Sequence, residues 1–123
     1  MSINPFEDQT KFMVACGQTV DQINENQFSM YVKLIAEESQ ELIDAISEDD
    51  AVETLDALID ILVVTIGAIN SLGADGKGAW KEVMRTNFEK IDPDTGKVRK
   101  REDGKILKPD GWQPPILSQF LSK

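Results

Sequence analysis

The chain has 123 residues, of which 41% are hydrophobic and 28% charged, a composition typical of one folded domain and not of a disordered segment. Its lack of histidine excludes Ser-His and Cys-His catalytic pairs and His-ligated metal sites, so any metal would need oxygen ligands. The single cysteine cannot form an internal disulfide and no secretory signal is visible, so we expect a cytoplasmic protein.

The net charge of −9 is distributed unevenly along the chain. Residues 1–76 carry 15 acidic and two basic residues, whereas residues 77–123 carry 11 basic and seven acidic ones. This asymmetry suits a metal–phosphate ligand, although solvated charges explain it equally well. The overall acidity argues against nucleic-acid binding. The most apolar run, residues 57–69, is too short to span a bilayer, so no membrane partner is expected.

The spacing of apolar residues predicts four helices. They occupy residues 2–26 (with a loop from residue 21), 28–47, 51–72 and 79–91. Asp49 or Asp50 is the candidate N-cap of the third helix. From Ala57 onward this helix is apolar on nearly all sides, which is typical of a buried helix. The fourth helix is basic, and we expect Trp80 and Phe88 to pack on its apolar side.

The rest of the chain, residues 92–123, is predicted to be an irregular tail. Residues 97–101 and 105–108 are candidates for a small β-hairpin, which would be marginal alone and should therefore fold back on the helices. The expected fold class is thus all-α, a bundle of about four helices with a short C-terminal tail. Because so short a chain has little core, we expect it to be assembled as an oligomer.

On the second helix, carboxylates occur where the apolar pattern does not predict them. Glu38 lies inside the apolar face and Glu41 at its border, whereas Glu37 points away. An unpaired carboxylate in the position of Glu38 would be costly to desolvate, so it needs a cation, a proton or a strong hydrogen-bond donor.

On the third helix, Glu53, Asp56 and Asp60 lie on one face, and Asp60 stands within the apolar run. Together the two helices offer enough carboxylate oxygens for one or two Mg²⁺ ions, or Mn²⁺. Such ions neutralise phosphate charge and activate water, and a spare carboxylate could act as a general base. Each carboxylate also has a plainer explanation, such as a hydrogen bond for Asp60 or the helix dipole for Glu53 and Asp56.

Two motifs on these helices resemble the all-α nucleotide pyrophosphohydrolases, the MazG-like and phosphoribosyl-ATP pyrophosphohydrolase-like proteins. The first is EESQE at residues 37–41, and the second is the acidic stretch that ends in Asp60-Ile61-Leu62. The resemblance covers residues 28–91, and a further similarity includes the helix end Asn87-x-x-Lys90 and the hairpin REDGK at residues 101–105. It implies a single domain over residues 1–123, with a core at 28–91 and a tail at 92–123.

The resemblance also implies an activity, the Mg²⁺-dependent hydrolysis of a nucleoside triphosphate to monophosphate and pyrophosphate by a homodimer or homotetramer, a nucleotide-pool housecleaning reaction. Glu38 and Glu41 match the family's catalytic, metal-binding Glu-x-x-Glu, with Glu37 as possible support. Asp60 matches the closing Asp of the family's Glu-x-x-Asp motif. The expected substrate-binding residues are Asn87, Lys90 and the neighbouring Arg85.

One position departs from the family pattern, because Ala57 stands where the second motif should have Glu. Either Asp56 substitutes for it beside Asp60, or Glu53 and Asp56 are themselves the motif one turn earlier. We favour Asp56 with Asp60 as metal ligands, since the burial of Asp60 is the costlier one to explain. The departure also motivates an alternative, a non-catalytic interaction protein that keeps the helical bundle.

Overall fold

A computed structural model describes residues 3–121. It contains four α-helices, namely α1 (Pro5–Ala15), α2 (Glu25–Ser47), α3 (Ala51–Ser71) and α4 (Gly76–Phe88), and a 3-10 helix at Ser118–Phe120. No β-strand occurs within this described part of the chain, which confirms the all-α prediction. Residues 3–76, together with Leu121, form one compact unit, and Lys77–Phe120 form a second.

Side-chain caps and one glycine determine where the helices begin and end. The Asn24 side chain accepts the Gln27 N–H at 3.0 Å, so α2 begins three residues before the predicted start. The prediction for α1 was too long, because Gly17 adopts a φ of 74° just after the helix and stops it. Helix α4 is also displaced, since it begins at Gly76 and ends at Phe88.

Helices α2 and α3 form an antiparallel pair. Asp49 adopts a φ of 55° in the short connection, and Asp50 caps α3 by accepting the Glu53 N–H at 3.0 Å, as one of the two predicted caps. At the far end of the pair, Gln27 Nε2 donates to Ser71 Oγ at 2.9 Å. The start of α2 therefore lies beside the end of α3.

The core of this first unit is built around Tyr31, whose ring lies against the backbone of Gly67. Tyr31 is 5% exposed and packs with Met13 from α1 and Val64 from α3. Its hydroxyl donates to Gln18 Oε1, while burial raises the pKa of Tyr31. The contact with Gly67 draws α2 and α3 together and fixes their register.

The prediction that α3 is buried on nearly all sides is wrong for the chain by itself. Leu58, Ile59 and Leu62 are exposed to 48%, 52% and 45%, and Leu55 nearer the start of the helix is also exposed. The physical reason is that α1 and α2 pack against one side of α3 and leave this apolar side uncovered. No helix within residues 3–121 has the length and hydrophobicity that a bilayer span requires.

The second unit contains α4 and the segment that follows it. The predicted hairpin is reduced to isolated antiparallel bridges, of which Lys100 with Ile106 is one, and its backbone includes the bond from Arg101 N–H to the Lys105 carbonyl at 2.8 Å. Trp80 and Phe88 are 59% and 61% exposed, so more of each side chain is uncovered than the sequence predicted. A pair of short segments with no third strand beside it is only marginally stable, which explains why the ladder does not extend further.

We predict that Gly67→Ala destabilises the protein, because a Cβ at this position would overlap the Tyr31 ring. Alanine gains roughly 1 kcal/mol in helix propensity over glycine, but overpacking costs about 1–3 kcal/mol. Urea denaturation should therefore show a lower free energy of unfolding. In the Tyr31→Leu background the same substitution should cost less, and an equal cost in both backgrounds would contradict the contact.

Candidate active site

The register of α2 and α3 places two acidic residues opposite each other. Tyr31 lies against Gly67, and the next seven residues along α2 lead to Glu38 while seven residues back along α3 lead to Asp60. Both side chains are half-buried. The fold thus brings together the two carboxylates whose burial the sequence analysis singled out.

Glu38 is the most perturbed acid in this arrangement. Its Oε2 atom is buried and has no hydrogen-bond partner among the described residues. Burial, followed by contact with the Glu41 carboxyl and the charges of Glu41, Asp60 and Asp56, raises the pKa of Glu38 to about 7. An acceptor oxygen that is desolvated in this way favours a proton or a cation beside it.

Asp60 shares this electrostatic environment. Burial raises its pKa first, and the charge and contact of Asp56 one turn earlier on α3 add to the effect, with a smaller contribution from Glu41. Asp56 and Glu41 are themselves exposed. The four carboxyl groups therefore form one interacting acidic cluster, made of Glu38, Glu41, Asp56 and Asp60.

The remaining acidic candidates lie at the surface. Glu37 is exposed on α2, and Glu53 is exposed in the first turn of α3, where its N–H is capped by Asp50. Ala57, which stands in the place of the family's Glu, is only 3% exposed. A longer side chain there would have to enter the packed interface between the helices.

The acidic cluster fits a divalent cation in the kind and number of its oxygens but not in their present arrangement. No three acidic or cysteine side chains within residues 3–121 converge as a ready-made metal site. The unpaired Oε2 of Glu38 supplies a buried donor, and the exposed side chains of Glu41 and Asp56 have room to rotate toward it. A bound cation would also offset the like-charge repulsion within the cluster.

The predicted substrate-binding residues lie at the end of α4, in the second unit. Arg85 is committed to ion pairs, since its Nε lies 2.8 Å from Glu82 Oε1 and its Nη1 lies 2.6 Å from Glu89 Oε1. The hydrogen bond from Arg85 and another from the Ile116 N–H lower the pKa of Glu82 to about 2. A role for Arg85 in substrate binding would require these pairs to open.

Asn87 and Lys90 form a pair of their own, because Lys90 Nζ donates to Asn87 Oδ1 at 3.2 Å. Both side chains are half-buried, and Lys90 Nζ also lies 4.9 Å from the centre of the Trp112 ring. Trp112 is not among the residues that the sequence marked for the site. The chain turns at the neighbouring Gly111, which adopts a φ of 78°.

Residues 15–87, more than half of the chain, match the family model of phosphoribosyl-ATP pyrophosphohydrolase. This match spans the whole of α2 and α3 and therefore all four members of the acidic cluster. A search of the curated proteins finds no significant match.

We predict that the stability of the protein without divalent cations falls as the pH rises from 5 to 8. The pKa of Glu38 is raised from an ordinary 4.5 to about 7, so between these values the folded chain holds a proton that the unfolded chain has lost. The free energy of unfolding should therefore decrease over this range. Above about pH 7, Glu38 is ionised in both states and should contribute no further change. Urea denaturation in EDTA at several pH values measures it.

Glu38→Gln should remove this part of the pH dependence and be more stable than the wild type at pH 8. Glu25→Gln is the matched control, because Glu25 is an exposed residue of the same helix and its loss changes the net charge equally. If Glu25→Gln flattens the pH profile as much as Glu38→Gln does, the pH dependence comes from general repulsion among the acidic residues and not from the burial of Glu38.

Proposed function

The chain belongs to the phosphoribosyl-ATP pyrophosphohydrolase family, within the MazG-like all-α superfamily, and we propose that it hydrolyses nucleoside triphosphates to monophosphates and pyrophosphate with Mg²⁺. Family membership makes it a hydrolase that acts on a phosphoanhydride bond of nucleotides. The proposal adds the triphosphate, the metal and the residues that hold it.

The observation that carries the proposal is the buried, unpartnered Oε2 of Glu38 inside the acidic cluster. Burying a carboxylate oxygen without a partner costs free energy. The charges of three further carboxyl groups add to this electrostatic strain on Glu38. Because the strain is relieved by positive charge, Glu38, Glu41, Asp56 and Asp60 are the proposed ligands of Mg²⁺, with Mn²⁺ as a substitute. The exposed Glu53 and Glu37 are left to supporting roles.

In the reaction, water adds to the α-phosphorus and the bond from this phosphorus to the oxygen that bridges it to the β-phosphorus breaks. The bridging oxygen leaves with pyrophosphate, and the attacking water must lose a proton. When bound, Mg²⁺ neutralises phosphate charge and lowers the pKa of a bound water. The packed pair of α2 and α3 fixes the backbone positions of the residues that carry these carboxylates.

A carboxylate of the acidic cluster is the proposed acceptor of the proton from water. Glu38 and Glu41 are the candidates, since the raised pKa of Glu38 shows that its surroundings stabilise the protonated form near neutral pH. Cation binding would lower that pKa and shift the proton-accepting role to whichever oxygen is left free. Asn87 and Lys90 are the proposed contacts of the phosphates, through one amide and one ammonium group.

We also propose that the chain acts as a homodimer or homotetramer that covers the exposed side of α3. Val52, Leu55, Ile59 and Leu62 follow one another at steps of three and four residues, and all are exposed. This is the spacing of a helix–helix contact, and four neighbouring apolar side chains are costly to leave in water. A second copy supplies the same apolar side in return.

We predict that incubation with NTPs or dNTPs and Mg²⁺ releases pyrophosphate and that EDTA abolishes the release. Phosphoribosyl-ATP belongs in the same panel because the family model is named for it. Glu38→Gln and Asp60→Asn should each lower kcat/KM by about 100-fold or more, since each removes a charge that supports the metal. A coupled pyrophosphate assay measures the rates.

The activity control is Glu25→Gln, a charge loss on the same helix outside the acidic cluster, and it should retain the wild-type rate. If neither the triphosphates nor phosphoribosyl-ATP are hydrolysed, and calorimetry detects no binding of Mg²⁺ or Mn²⁺, the proposal is wrong. The non-catalytic interaction protein would then be the better explanation.

We predict that Leu55→Lys lowers the molecular mass measured by light scattering after size-exclusion chromatography, because a charge would be buried in the subunit contact. Ile116→Lys is the matched control, since Ile116 in the second unit is 63% exposed and Leu55 is 62% exposed. The control should keep the wild-type mass. A monomeric wild-type protein would contradict the proposed oligomer.

A further inference from the structure

Trp112 ties the C-terminal segment to the end of α4. Its indole Nε1–H donates to the backbone carbonyl of Thr86 at 2.7 Å. Carbonyls in the last turn of a helix lack a partner within the helix, and this one is satisfied by the indole instead. Trp112 is half-buried and Thr86 is 1% exposed, so the bond is shielded from water and holds the ring in place.

Two ammonium groups lie against this fixed ring. Lys90 Nζ, which follows α4, is 4.9 Å from the ring centre, and Lys108 Nζ, which precedes the turn into Trp112, is 4.8 Å from it. Both distances are within the range of a cation–π contact. Lys90 is further restrained by its hydrogen bond to Asn87 Oδ1. The ring therefore gathers two positive charges that are 18 positions apart in the sequence.

We propose that Lys90 and Lys108 form a two-cation binding site for the polyphosphate of the substrate, with Trp112 as the residue that positions both lysines. A polyphosphate carries charged oxygens along its length, so one anion can contact two ammonium groups that are held at the same ring. Lysine is a flexible point charge with high rotamer entropy, so restraint by an aromatic face lowers the entropy lost when phosphate binds.

Space beside Lys90 is available for such a ligand. Lys90 and Arg99 line a cleft of about 290 Å³ that is formed by the end of α4 and the segment after it. Three acidic residues, Glu89, Asp92 and Asp94, also line this cleft, and of these Glu89 is paired with Arg85 at 2.6 Å. Lys108 and Trp112 lie next to lining residues of the cleft but do not line it themselves. The site deepens the proposed function, because it assigns Lys108 and Trp112 to the phosphates that Lys90 was expected to meet.

Calorimetric titration of the full chain with inorganic pyrophosphate in EDTA tests the site without turnover or metal. Lys90→Gln and Lys108→Gln should each bind pyrophosphate about tenfold more weakly than the wild type, and with a smaller dependence on salt. Lys105→Gln is the control, because Lys105 is an exposed lysine in the same segment whose substitution changes the net charge equally. It should bind as the wild type does, and Lys108→Arg should restore most of the affinity.

Trp112→Leu keeps both lysines and removes the ring, so it should weaken pyrophosphate binding at least as much as Lys108→Gln and raise KM more than it lowers kcat. Wild-type affinity in Lys108→Gln, or an equal loss in Lys105→Gln, would overturn the site even if Trp112→Leu fails to fold. This titration needs no hydrolysis. If the lysine variants bind pyrophosphate more weakly as expected but the protein hydrolyses no nucleotide, only the proposed reaction is refuted. Normal turnover with no effect of Lys108→Gln on binding would refute the lysine site alone.

Discussion

The desolvated carboxylate of Glu38 is the constraint on which the candidate site depends. A contact two turns away sets the position of Glu38, because Tyr31 packs on Gly67 and fixes the register of α2 against α3. That register leaves Glu38 opposite Asp60, with two further acids close enough to raise its pKa. The fold therefore contributes part of its own stability to holding like charges together, which natural proteins do mainly at functional sites.

Like charges are gathered within each of the two compact units. The first unit carries the acidic cluster and the apolar core around Tyr31, whereas the second carries the lysines gathered at Trp112. Each group of like charges is held by an uncharged anchor, the ring of Tyr31 in one unit and the indole of Trp112 in the other. Each anchor sets where its group of charges lies in the fold, although the side chains of Glu41 and Asp56 would have to rotate to reach a cation beside Glu38.

Much of the site was predictable because helix periodicity is a local property. The spacing along residues 28–47 already placed Glu38 on the apolar face and Glu37 away from it, and the structure has them half-buried and exposed respectively. The family resemblance that rested on these motifs is confirmed by the match over residues 15–87. The assignment of metal ligands and of Asn87 and Lys90 to the substrate stays a prediction. The exposure of Trp80 and Leu58 was not predictable, because an apolar helix pattern does not say how many neighbours cover it.

The sequence by itself determined the all-α class and the identity of the unusual carboxylates, and it narrowed the N-cap of α3 to Asp49 or Asp50, since propensity, capping and periodicity act over a few residues. Only the tertiary structure decided that Asp56 and Asp60 meet Glu38 and that Glu53 stays at the surface, because this depends on the register between two helices. The same holds for Trp112, whose ring is contacted by both Lys90 and Lys108. This contact with Lys90 depends on a return of the chain that no local pattern specifies. Contacts between distant positions arise from packing and chain direction, which the local pattern does not contain.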